Sequence, residues 1–292
     1  MPPSQPDIRN EARFGFGKNW LSFIDLVDEA RVRSARDSLL AALPVPTLAG
    51  RTFLDVGCGS GLFSLAACQL GARVRSFDYD PESVLAATEL RRRFAADSDW
   101  VIEQGSILDP QFVAGLGRSD VVYSWGVLHH TGDLWQALDA TSGLVAPGGW
   151  LYISVYNDQG TMSRVWRGVK RRYNDSGQLM RAMLVAGSAA YLYRHWPVRA
   201  LHRAAQRSQA APAPRARGMS RRHDLIDWVG GSPFEVARPE EVFTFVRRLG
   251  FELRHLTTTG AGIGCNEYVF QAPPPAPRAT GKRQPRRAAA RG

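Results

Sequence analysis

The sequence predicts an α/β fold: a doubly wound, mostly parallel sheet with a helical insertion after its fifth strand. Three observations predict it. Between residues 50 and 156, short apolar runs alternate with amphipathic stretches, the pattern of consecutive βαβ units. The first run feeds a glycine-rich turn that opens a helix. After a long basic interruption, one more helical pattern and two more apolar runs bring the strand count to seven.

Each element has its own signal. Residues 19–43 carry Trp20, Phe23, Ile24, Val27, Leu39 and Leu43 at roughly helical spacing, and Pro44 and Pro46 end that helix. The strand candidates are Thr52–Val56, Val74–Phe77, Trp100–Ile102, Val121–Trp125 and Trp150–Val155. Helical patterns fall between them at about 62–70, 82–95, 111–116 and 134–145. The regularity breaks at Asn157. Residues 160–172 and 178–205 read as helices around an apolar centre at 183–193 that arginines flank, and 206–218 is an Ala/Pro/Arg/Ser linker. Pro239 opens a helix that Gly250 stops, and strands follow near 251–258 and 266–271. The chain after Gln271 is rich in Pro, Ala and Arg and is expected to be disordered. The organisation expected is one domain made of 1–158 and 238–272, a helical cap at 159–237 and a basic tail at 273–292.

Composition bounds the possibilities. A chain of 292 residues with 44% apolar content can bury a sizeable core. It has no apolar run of the roughly eighteen residues a membrane span requires. Its start lacks the basic-then-apolar order of a secretory signal. Cys58, Cys68 and Cys265 lack metal-ligand spacing and fit reduced thiols, so no metal is expected. Together these features predict a soluble, cytoplasmic protein. The net charge of +10 is unevenly distributed. Gln159–Arg222 holds fourteen Lys/Arg and one acid, and the tail holds six Lys/Arg and none, so the remaining body is acidic, at −9.

The strongest chemical signal is Phe53-Leu54-Asp55-Val56-Gly57-Cys58-Gly59-Ser60-Gly61-Leu62-Phe63-Ser64. A strand runs into a turn where the backbone must approach a ligand closely, so Cβ atoms are excluded. The spacing is Gly-x-Gly-x-Gly and not the Gly-x-Gly-x-x-Gly of dinucleotide binders. Asp78 closes the next apolar run, 23 residues after Asp55, where a carboxylate can accept both hydrogen bonds of a ribose diol. Asp80, just before Pro81, suits a helix cap better.

These residues resemble motif I and the following acidic position of the class I S-adenosylmethionine-dependent methyltransferases, a Rossmann-like family. The resemblance continues through Gly105-Ser106-Ile107-Leu108-Asp109, then Asp120–His130, then Ala146-Pro147-Gly148-Gly149-Trp150-Leu151. It covers about 50–158 and 238–271 and leaves 159–237 without a counterpart. It implies a seventh strand running antiparallel and S-adenosyl-L-methionine as cofactor. The implied cofactor contacts are Asp55, Gly57, Gly59, Gly61, Asp78, Tyr79, Ser106, Ile107 and Trp125. Trp20, with Phe14 and Phe16, either closes over the cofactor or packs in the core. The acceptor pocket is expected at the same rim of the sheet, lined by Tyr156, Asn157, Asp158, Asn266 and Glu267. His223 and Trp228 join them if residues 220–235 form an acceptor-binding flap; the same stretch also reads as a helix end and a Gly-Gly turn.

Methyl transfer needs mainly alignment of a nucleophile with the sulfonium methyl, worth roughly 7–11 kcal/mol. His129 and His130 are the candidate general bases, with packing beside adenine or helix capping as the other roles open to them. The reading is a methyltransferase acting on O or N of a small acceptor, and the +13 segment around an apolar centre suggests an acceptor that is anionic, lipophilic or both. The rivals are an RNA methyltransferase using the basic insertion and tail, disfavoured by the acidic body, a nicotinamide-dependent oxidoreductase, disfavoured by the glycine spacing, and a non-catalytic cofactor-binding module. The arginines around 183–193 also permit weak contact with a membrane surface.

Overall fold

The structure is a computed structural model that describes residues 14–194, 221–260 and 262–275; of 221–223 it describes the backbone alone. The expected linker at 206–218, the helix beyond Arg194 and the tail beyond Pro275 lie outside the described residues.

Seven strands form one sheet in the order β3-β2-β1-β4-β5-β7-β6. They are β1 (Thr52–Val56), β2 (Arg73–Asp78), β3 (Trp100–Gln104), β4 (Ser119–Trp125), β5 (Val145–Tyr156), β6 (Glu252–Thr257) and β7 (Cys265–Gln271). The first five are parallel, and β7 runs antiparallel to both of its neighbours. From β1 the chain winds outward through β2 and β3, then returns to lay β4 on the other flank of β1. The order therefore reverses between β1 and β4, where ligands of doubly wound sheets bind.

Helices cover both faces. α2 (Glu29–Ala42), α3 (Leu62–Gln69) and α4 (Pro81–Phe94) bury one side around Phe53, Leu65, Val74 and Trp100. On the other side α6 (Leu134–Gly143) and α10 (Pro239–Arg248) bury Leu54, Val122, Leu151 and Phe270, with the short α5 (Pro110–Ala114) at the edge. The even-numbered apolar residues of β1 thus face one layer and the odd-numbered ones the other, as the period of two requires.

Three boundaries differ from those expected. The helix placed at 19–43 is two: α1 (Phe16–Ile24) and α2. Asp28 breaks it, because in extended conformation its side chain accepts from the Arg31 N–H at 2.8 Å and caps a new helix. The break frees α1 to swing onto α4, where Gly17 approaches so closely that a Cβ would meet Glu82 at 2.4 Å. β5 begins at Val145, with a register shift opposite Ser119–Val121 that absorbs the turn at Pro147-Gly148. The core also reaches past Gln271: Ala272 is buried, its N–H donates to Gly149, and the Pro273 carbonyl accepts from Gly148 at 2.9 Å.

The interrupted segment contributes α7 (Thr161–Asn174), α8 (Gln178–Tyr193) and α9 (Arg221–Gly230). Their apolar residues do not enclose a core of their own. Trp166, Phe234 and Val236 form a small cluster that closes against Tyr156 at the end of β5. Among the described residues, no helix is long and apolar enough to cross a membrane.

Candidate active site

The carboxyl ends of β1 and β4 open into a cavity of about 720 Å³, within the roughly 300–1,000 Å³ usual for small-molecule sites. One end is floored by the turn Gly57–Gly61. Gly57 and Gly59 hold φ of +75° and +53°, and space forbids side chains there as firmly as the backbone does. A Cβ on Gly57 would meet Val127 at 2.3 Å, and one on Gly59 would meet the Trp20 indole at 3.0 Å. Trp20 reaches that position because α1 is tied to the start of α4, through the Gly17 N–H to Asp80 at 2.8 Å.

The turn's N–H groups are used inside the fold. Gly57 and Cys58 donate to the Phe77 carbonyl at 2.9 and 3.0 Å, Gly61 donates to Cys58, and Gly59 donates to the Asp78 carboxylate at 2.9 Å. A phosphate-binding turn instead aims such groups at its ligand. The carboxylates agree with this difference. Asp55, Asp78 and Asp80 line the cavity, and among the described residues no Lys or Arg does. Asp55 is buried and accepts from the Ser64 hydroxyl at 2.6 Å. Asp78 accepts from Asp80 N–H at 2.9 Å on its other oxygen, with the Tyr79 N–H as a further donor. Burial pushes the Asp78 carboxyl up to about 6, against the pull of these backbone N–H groups. Asp80 caps α4, accepting from Glu82 N–H at 2.9 Å. Tyr79, Ser106, Ile107 and Trp125 also line the cavity.

At the far end the wall is aromatic and acidic. Tyr156 ends β5 and meets Trp228 of α9 edge to face at 5.0 Å between ring centres, while Phe16 from α1 packs on His130 at 4.9 Å. Asp224, Asp227 and Glu267 complete it. Asn19 donates to Asp227 at 2.8 Å, and Tyr152 hydroxyl donates to Glu267 at 2.6 Å. Burial pushes the Asp227 carboxyl up to about 7.

The two histidines have different surroundings. His130 lines the cavity, and its Nδ1 lies 2.6 Å from the Pro233 carbonyl. An acceptor there requires Nδ1–H, which leaves the lone pair of the neutral ring on Nε2. Burial, with the Lys170 charge second, holds its pKa down to about 3. His129 is fully buried and does not line the cavity. Its Nδ1 faces the Tyr156 N–H and its ring stacks on Tyr156 at 3.9 Å, and burial keeps it neutral. That surrounding is the one a packing residue has.

Three further residues stand apart from the cavity. Asn266 donates to Asn157 at 3.0 Å and accepts from Thr259 N–H, and Asn157 donates to the Gly260 carbonyl at 2.8 Å. This pair ties β7 to the end of β5, so both amides are committed. Asp158 faces Arg238 at 3.8 Å beside a separate surface groove. The His223 side chain lies outside the described residues.

Lys170 is the unforeseen member of the region. It is 1% exposed, donates to the Trp228 carbonyl, and sits 4.7–5.6 Å from the ring centres of Phe234, Trp228 and Tyr156. With Asn174, which donates to the Gly230 carbonyl at 2.8 Å, it fixes α7 to α9 behind the aromatic wall. Its signal was present: it follows Trp166 by four residues, on the apolar stripe of α7.

Comparison with known proteins agrees with this geometry. A family model described as "Methyltransferase domain" matches residues 27–211, more than half of the chain. Two curated relatives are the ubiquinone biosynthesis O-methyltransferases of Pseudomonas paraeruginosa (strain DSM 24068 / PA7) and Bordetella avium (strain 197N). The first is 36% identical over 111 residues, 38% of this chain and 46% of that one; the second is 32% identical over 112 residues, 38% and 45%. The chain thus spans about half the length of the curated relatives it matches. Among solved structures, an O-methyltransferase family protein from Burkholderia thailandensis aligns with a TM-score of 0.53 at 16% identity, over 87% of this chain and 60% of that one. Magnesium protoporphyrin IX methyltransferase from Synechocystis PCC 6803, solved with bound SAM, aligns at 0.50 and 13% identity, over 93% and 100%. At such identities the structures show the fold alone. The strand order, the glycine turn at the β1–β4 crevice and the family match lead to one conclusion: the chain belongs to the methyltransferase-domain family.

Proposed function

We propose that this protein is an S-adenosylmethionine-dependent methyltransferase that methylates an O or N atom of a small acceptor. One observation carries the reading: a single cavity joins the glycine turn to the aromatic, acidic chamber of α9 and β7. The cofactor fits the first end by its donor set. Its ribose diol offers two hydrogens to the Asp78 carboxylate, and its positive charge suits a wall that has Asp55 and, among the described residues, no Lys or Arg. A pyrophosphate cofactor does not fit, since the turn's N–H groups face inward and the nearby side chains are carboxylates. The relatives' shared name supports O-methylation of a small molecule.

Bound S-adenosylmethionine supplies an electrophilic methyl group whose departing electron pair stays on sulfur. The protein holds the acceptor against Tyr156 and Trp228, and the shell of α7, α8 and α9 acts as a cap that excludes water. His130 offers Nε2 to the proton that leaves the nucleophile. Its weak basicity is sufficient, because an oxygen that gains a methyl group becomes strongly acidic before its proton departs. Deleting 160–218 with a short Gly/Ser bridge should then leave cofactor binding largely intact and remove acceptor methylation.

The test is mass spectrometry of a cell extract given purified protein and isotopically labelled cofactor. The expected result is a small molecule that gains one labelled methyl with wild type and not with Gly59→Val. Label appearing in RNA would favour the nucleic-acid reading, and cofactor binding without turnover would favour a non-catalytic module.

A further inference from the structure

We propose that the acceptor carries a positively charged amine, held by Asp227 against the rings of Trp228 and Tyr156. The inference rests on the methyltransferase reading for the location of the acceptor and goes beyond it in naming the acceptor's charge.

The charge of the insertion pointed the other way, but the arginines whose side chains are described do not bring it into the cavity. Arg164, Arg171, Arg172, Arg181 and Arg194 are all exposed, and none lines the cavity. Among the described residues, the wall at the acceptor end holds three carboxylates and no Lys or Arg. An anionic acceptor would meet like charge on that wall.

Asp227 is the focus of the three. Asp224 is exposed and Glu267 receives the Tyr152 hydroxyl. Asp227 is half-buried, receives one neutral amide from Asn19, and has no Lys or Arg within ion-pairing distance among the described residues. Lys170 acts on it through space without forming an ion pair, so the carboxylate's cavity side is open to a second cation. Burial pushes its carboxyl up to about 7, against the pull of the Asn19 amide and of Lys170. Beside it stand Trp228 and Tyr156, whose ring faces attract cations. The wall already holds one amine in this way, since Lys170 packs on these two rings and Phe234, with burial drawing its pKa down to about 7. Lys170 sits behind these rings and does not line the cavity, whose acceptor end carries the three acids.

The experiment compares phenethylamine, phenethyl alcohol and hydrocinnamate by ligand-observed NMR on full-length protein saturated with S-adenosylhomocysteine, with saturation checked beforehand by calorimetry. The expected order is amine, then alcohol, then carboxylate, with the amine favoured over the alcohol on the order of tenfold, as for a charge-assisted hydrogen bond. Asp227→Asn keeps an acceptor for Asn19 and should bring amine and alcohol to parity without changing cofactor affinity. Equal binding of alcohol and amine would assign a neutral, hydroxyl-bearing acceptor and overturn the proposal. So would preference for hydrocinnamate, absence of amine binding at millimolar concentration, or an amine preference that survives Asp227→Asn. Failure of S-adenosylhomocysteine to bind would sink the cofactor reading instead, and the same three probes on the unliganded protein then test the amine preference separately.

Discussion

At the β1 end of the cavity the wall is backbone. Gly57 and Gly59 leave no room for a Cβ, their N–H groups are tied to Phe77 and Asp78, and the shape is fixed by hydrogen bonds between neighbouring strands. At the β5 end the wall is side chain: Tyr156, Trp228 and Phe16 supply surface, and Asp224, Asp227 and Glu267 supply charge. A wall made of backbone accepts almost no substitution and binds one shape. A wall made of side chains can be re-equipped one residue at a time. The first kind suits a cofactor that many enzymes share, and the second suits an acceptor that each enzyme must choose.

The comparison breaks first at Gly59. Gly59→Val places a branched side chain against Trp20 at a left-handed φ, which costs of order 1–3 kcal/mol in backbone strain before the clash is counted. Binding of S-adenosylhomocysteine should fall below detection by calorimetry while circular dichroism still reports a folded protein. Wild-type affinity in this variant would remove the turn from the cofactor site.

At the other end, His130→Ala should lower kcat by about 10²–10⁴ with cofactor affinity retained. His129→Ala should act differently, lowering Tm through lost packing on Tyr156 while kcat per folded molecule holds. Equal kcat losses in both variants would erase the distinction between the lining and the buried histidine.

Asp78 gives a smaller effect with a sign that pH can read. Asp78→Asn should weaken cofactor binding by about 1–3 kcal/mol. The carboxylate is the form that accepts the ribose hydrogens, so affinity should be full above the shifted value of about 6 and fall as pH drops below it. In the cofactor-free protein the same shift works in reverse. A carboxyl raised from 3.8 to about 6 contributes stability below pH 3.8 that is lost as pH rises through 6. Asp78→Asn should flatten both dependences, seen by calorimetry for affinity and by thermal melts for stability.

The smallest effect is at the carboxyl terminus. Ending the chain after Pro275 should leave Tm and cofactor affinity unchanged. Ending it after Gln271 should lower Tm by a few degrees, through loss of the hydrogen bonds of Ala272 and Pro273 to the Gly148-Gly149 turn.

Legibility in the sequence followed the same division. The glycine turn and Asp78 stand at the ends of two consecutive apolar runs, so local spacing marks them, and the helix opened by Pro81 marks Asp80 as its cap. The boundary between α1 and α2 escaped notice because Trp20, Phe23 and Val27 keep helical spacing across it; a single side-chain cap at Asp28 overrides the pattern. Asn157 and Asn266 sit at strand ends on the ligand rim, where a sequence places them in the pocket. Only their mutual hydrogen bond, across 109 residues of chain, turns them away from it. Lys170 stands on the apolar stripe of α7 and Asp227 beside Trp228 in the polar stretch 220–235, so spacing marks both, but that α7 and α9 lie side by side is not encoded in either. The insertion's arginines were legible as charge, but not the direction of those described, which turn to solvent and not to the cavity.

The account stands most directly on calorimetric titration of wild-type protein and Gly59→Val with S-adenosylhomocysteine at neutral pH. It predicts one site per chain in the wild type and none in the variant. A wild-type protein that does not bind, or a variant that binds as well as wild type, would contradict it.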